Sequence, residues 1–158
     1  MTISIKELGN DDNGFPKNAE TDGIKSITLD DDLVKEATKL SIAKTLIHES
    51  LRAYINLKVY GRRHGENISF YNLIKQYYDK YKEGNLSQHN FMSEFVEALA
   101  YSLSISDNHK QDIEYYKAMS WGGLESSDAY KKLKNKIQIQ KIIKNERYAR
   151  KGNKSTKC

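Results

Sequence analysis

The sequence predicts a mainly α fold, about five helices around one long central helix, and three observations predict it. A single proline stands against nine glycines in 158 residues, so almost nothing interrupts helices. From Leu33 onward apolar residues recur in steps of three and four. No internal repeat divides the chain, and its length suits one compact domain with a buried core.

Residues 1–27 are rich in Asp, Asn, Gly and Lys and contain Pro16, which predicts a lead-in segment of loops or short strands. Alternating runs from Thr2 to Lys6 and from Ile24 to Leu29 leave room for a small hairpin or an edge strand. Residues 28–149 are expected to form the helical domain, and 150–158 a basic flexible tail.

The central helix opens with Asp30, Asp31 and Asp32 in its first turn, where acids complement the helix dipole. It runs through Leu33, Ala37, Leu40, Ala43, Ile47, Leu51, Tyr54 and Leu57 to Arg62 and Arg63. A second helix is expected from a cap at Ser69 to the stop at Gly84. The third is expected over Ser87 to about Ser104, the fourth from about Lys110 to Trp121, ending at Gly122-Gly123. The last is capped by Ser126-Ser127-Asp128 and runs to about Ala149.

Charge divides the chain in two. Residues 1–130 carry 15 Lys/Arg and 20 Asp/Glu, whereas 131–158 carry 11 and 1. The basic end suits a solvated helix face, nucleic acid, an anionic membrane, the chain's own acidic body, or an acidic protein partner such as a neutralising protein, and no nucleic-acid motif accompanies it. The only cysteine, Cys158, excludes an intrachain disulfide. No run of residues is long and apolar enough to cross a bilayer, and the start lacks the basic and apolar regions of a signal peptide. The expected setting is soluble: cytoplasmic as written, or secreted as the end of a larger polypeptide.

Chemistry concentrates on the central helix. His48-Glu49-Ser50-Leu51-Arg52 has the spacing of His-Glu-x-x-His, in which imidazoles at i and i+4 share a zinc ion and the Glu polarises bound water. The fifth position here is Arg52, a permanently protonated guanidinium with no lone pair to offer a metal. Ser41, Thr45, His48 and Arg52 form a polar strip on an otherwise apolar helix.

Ile42–Tyr54, IAKTLIHESLRAY, resembles the active-site helix of a small zincin-like metallopeptidase family of Bacteroidota and their phages, whose usual form is close to IIHESIHAY. Gln88–Glu94, QHNFMSE, resembles that family's second block, and Tyr115–Leu124, YYKAMSWGGL, its third. Together the three blocks span residues 42–124.

The resemblance implies a zinc-dependent hydrolase acting on a peptide or protein. It makes His48 the first metal ligand, Glu49 the catalytic general base and His89 the best third ligand, with Glu94 and His109 weaker substitutes. Tyr115 or Tyr116 would stabilise an oxyanion in an active relative. His64, after the central helix, reads as a surface residue. Arg52 departs from the pattern and implies weak or absent zinc and little activity, in a domain expected to be a bacterial toxin or effector. A natural pseudoenzyme and an inactivated toxin both account for Arg52. The rival expectation is a noncatalytic helical binding module using the basic last helix.

Overall fold

The computed structural model describes residues 2–10, 16–22, 26–60 and 85–148, with the side chains of 56–60 and 85–87 left aside. The second helix expected over Ser69–Gly84, His64, the Arg62-Arg63 pair and the tail with Cys158 lie outside the described residues.

Three strands, β1 (Thr2–Lys6), β2 (Ala19–Asp22) and β3 (Ser26–Asp30), form one sheet in the order β1-β3-β2. β1 runs parallel to β3 with Thr2 opposite Ser26, and β2 runs antiparallel with Ala19 opposite Leu29. Residues 1–27, expected as loops or short strands, therefore contribute two strands and the start of a third. Ile27 and Leu29 are buried against Leu33, with Ala37, Ile42 and Leu46 packed around them, so the sheet and the helices share a core.

Seven helices follow among the described residues: α1 (Asp31–Glu36), α2 (Lys39–Tyr60), α3 (Asn85–Ser93), α4 (Val96–Ser106), α5 (Ile113–Ser120), α6 (Asp128–Lys131) and α7 (Lys136–Arg147). The fold is mainly α, as expected, but three of the expected helices are broken. Asp30 is a cap rather than a first-turn residue: its carboxylate accepts the N–H groups of Asp32 and Leu33. The expected central helix splits at Ala37-Thr38, because the Thr38 N–H donates to the Glu146 carbonyl at 2.9 Å and the Thr38 hydroxyl donates to the Glu146 carboxylate. These long-range bonds outcompete continuation of α1 into α2.

The expected helix over Ser87–Ser104 is two helices, with Glu94 and Phe95 bonded three residues back to Phe91 and Met92 in a tight turn. The last helix also divides. Ser127 caps α6, and Leu133–Asn135 separate it from α7. Trp121 stacks obliquely on Tyr130, ring centroids 5.8 Å apart, which fixes α5 against α6.

α2, at 22 residues, touches β2, β3, α3, α4, α5 and α7. Leu40 packs with Ala100, Leu103, Tyr116 and Met119, and Ile55 with Phe91, Met92, Val96 and Leu124. Between these two apolar clusters, α2 buries polar groups.

Candidate functional site

Ser41, Lys44, Thr45, His48 and Glu49 are all buried on α2. Such burial costs free energy unless each group finds a partner. Thr45 donates to the Ser41 carbonyl at 3.0 Å, which holds its hydroxyl along the helix. Lys44 reaches across to the turn after α5 and donates to the Gly122 carbonyl at 3.4 Å. Burial pushes the Lys44 ammonium down from its ordinary value, while Glu125 and Glu49 pull it back up.

One turn further along α2, His48 lies under the same Gly122-Gly123 turn. Gly123 has φ +88°, a conformation that only glycine takes without strain, and a Cβ there would fall 2.8 Å from His48 Cε1. The glycine is needed for both reasons. Its N–H donates to the Glu125 carboxylate at 2.8 Å, and Gln140 of α7 donates to the other oxygen.

His89, from α3, meets His48 edge to face with ring centroids 6.1 Å apart. Two of the expected site histidines are thus brought together from distant parts of the chain. His89 Nδ1 bonds Ser126 Oγ at 2.6 Å, leaving its other nitrogen free of that contact. Burial, then the charge of Arg52, lowers His89 to about 4. Burial, followed by the charges of Lys44, Arg52 and His89, holds His48 well below its ordinary value. Both imidazoles are neutral at physiological pH, and His48 Nδ1 is buried with no hydrogen-bond partner.

Glu49 accepts a hydrogen bond from the Thr21 hydroxyl of edge strand β2. Its carboxylate lies 3.8 Å from an Arg52 nitrogen and 3.9 Å from His48 Nε2. Arg52 also donates from Nε to Gln88 at 3.3 Å. The guanidinium therefore sits beside the carboxylate and lowers both imidazoles.

Neutral imidazoles and an orphaned buried nitrogen are chemistry that suits a metal, but the full donor set does not. Among the described residues the one group with three metal-capable side chains in reach of each other is Asp30, Asp31 and Asp32, and His48, His89 and Glu49 do not form such a group. The fixed charge of Arg52 opposes a cation further. A closed three-ligand zinc centre does not fit these residues. Nor does the aspartate cluster make one, since Asp30 is occupied in capping α1 and accepting the Leu8 N–H at 3.0 Å.

The weaker candidates lie elsewhere. Glu94 is exposed and lines a cleft of about 320 Å³ with Glu97, Lys117 and Trp121. His109 has φ +55° in the turn that ends α4, where its N–H closes on the Ser104 carbonyl at 2.7 Å. The Tyr115 hydroxyl donates to Glu146, and that of Tyr116 to Asp107 at 2.9 Å. Glu94 thus faces the cleft, His109 closes a helix end, and the two tyrosines bond carboxylates away from the histidine pair.

The sequence reading missed Lys44, Gln88, Thr21 and Ser126. Lys44 stands four residues before His48, a spacing that could have revealed it. Thr21 carried no local signal, because only sheet pairing places it over Glu49. No family model, curated protein or solved structure matches the chain.

Proposed function

We propose that the chain carries the scaffold of a zincin-like metallopeptidase domain, of toxin or effector type, whose second metal position is taken by Arg52. In this form it binds little zinc and cleaves little peptide. The observation that carries the reading is the meeting of His48 and His89 beside Glu49, with Arg52 pressing its charge on both imidazoles. A helix that buries a histidine and a glutamate side by side, under a turn that only glycine can make, spends stability on positioning those groups. Thr21 and Arg52 hold the Glu49 carboxylate in place. Ser126 fixes the His89 ring. In an active relative the metal would supply Lewis-acid activation of water.

The test is metal analysis of chelator-free protein. Wild type is expected to hold well under half an equivalent of zinc, Arg52→His about one, and Arg52→His with His48→Ala to fall back, since three protein ligands are the usual minimum. Stoichiometric zinc in the wild type defeats the proposal, as does a folded Arg52→His protein that gains none. Arg52→His is also expected to slow growth of its expression host, and the further change Glu49→Gln to relieve it.

A further inference from the structure

We propose that the outward face of α7, with the turn before it, binds the phosphate backbone of duplex nucleic acid. This surface is separate from the histidine pair and independent of the reading given to it. Lys131, Lys132, Lys134, Lys141 and Lys144 are exposed, and Lys136 is half-buried. Lys131 pairs with Asp128 at 3.6 Å and Lys136 donates to the Lys131 carbonyl at 2.8 Å. Lys132, Lys134, Lys141 and Lys144 have no carboxylate partner among the described residues.

Among the described residues no ion pair joins these four lysines to the acidic body, and several of its carboxylates are engaged elsewhere. Asp31 pairs with Lys35, Asp107 with Lys110, Glu97 and Glu114 with Lys117, and Asp30 and Glu36 with Arg147. The one acid within 131–158, Glu146, is fully buried. Four unopposed ammonium groups on one short stretch call for a dense polyanion.

The neighbouring side chains narrow the choice. Ile139, Ile142 and Ile143 face the core, which leaves Ile137, 89% exposed, as the outward apolar residue of α7, too little to enter a bilayer. Residues 131–147 contain no aromatic side chain on which single-stranded bases could stack, and Tyr148 at the C-cap has its ring covered by the Arg147 guanidinium at 5.0 Å. Asn145 shares a shallow groove with Lys136, Lys141 and Lys144 and offers an amide donor to phosphate oxygens, whereas the Gln140 amide beside it is engaged by Glu125 and Tyr130. Lys136 and Lys144 are separated by about 12 Å along the helix axis, comparable to the width of a duplex major groove.

The test is fluorescence anisotropy with the full chain and a labelled mixed-sequence duplex DNA oligomer. Four released counterions give a logarithmic salt slope of about −3.6 or steeper, so affinity falls at least about 150-fold between about 50 and about 200 mM NaCl. Changing Lys132, Lys134, Lys141 and Lys144 to Gln leaves the melting temperature unchanged and makes the slope shallower by about 3.6. No binding at low salt overturns the proposal, and so does binding whose slope survives the four substitutions. Poly-L-glutamate binding as tightly as the duplex also overturns it, by making this face a dock for an acidic protein. Tighter binding to phosphatidylserine vesicles than to the duplex overturns it in favour of a membrane surface.

Discussion

At the scale of single residues, the histidine pair sets the pH behaviour. His48 and His89 are both depressed when folded, chiefly by burial, His89 to about 4. In the unfolded chain they titrate near their ordinary value of about 6.5. Between those values the unfolded state binds protons that the folded state refuses, so stability is full above about 6.5 and falls as the pH drops towards about 4. Urea midpoints of wild type should decline from pH 7 to pH 5, before most carboxylates titrate. His89→Gln removes one of the two contributions and should give a shallower decline. An unchanged pH slope in that variant would mean that His89 is not held neutral by the fold. Sequence alone made His48, Glu49 and His89 visible as chemistry-bearing residues, but the burial that keeps the two imidazoles neutral comes from long-range packing, such as the Gly122-Gly123 turn over His48.

At the scale of elements, the joints between helices are what the sequence concealed. Apolar spacing located most of α2, α4, α5 and α7, because each buries a stripe of side chains that recurs in sequence. The breaks at Thr38, Glu94 and Leu133–Asn135 contain neither glycine nor proline. Thr38 leaves the helix because Glu146, 108 residues away, takes both its N–H and its hydroxyl. β2 was equally hidden, since Ala19–Asp22 is short and polar and becomes a strand only by pairing with β3. The Glu146 carboxylate, which also accepts the Tyr115 hydroxyl, is therefore the fastening of three elements, α2, α5 and α7. Glu146→Ala is expected to cost about 3 kcal/mol in chemical denaturation, from two buried hydroxyls left unpaired and a cavity. Glu146→Gln, which can still accept one of them, should cost about 1 kcal/mol. Equal losses in the two variants would show that side-chain volume, not hydrogen bonding, fastens the joint.

At the scale of the whole molecule, the division into an acidic body and a basic end is true of the sequence but only half true of the fold. The lysines of α7 face outward, whereas Arg147 turns inward and ties the last helix to the first elements. It donates to Asn18 and, at 3.4 Å, to Glu36, and lies 4.0 Å from the buried Asp30 carboxylate. The same Asp30 caps α1 and holds Leu8, so one guanidinium supports the sheet, the first helix and the last. Removing it leaves a buried carboxylate without its cation, the circumstance in which breaking an ion pair is most costly. Arg147→Ala is expected to destabilise the protein by about 3 kcal/mol. Because the contact joins the two ends of the described chain, its loss should be felt at both: in native-state hydrogen exchange, amides of Ile27 and Leu29 in β3 and of Ile142 and Ile143 in α7 should lose protection together. If β3 alone became labile while α7 kept its protection, the sheet and the last helix would be separate cooperative units, and Arg147 would anchor only the sheet.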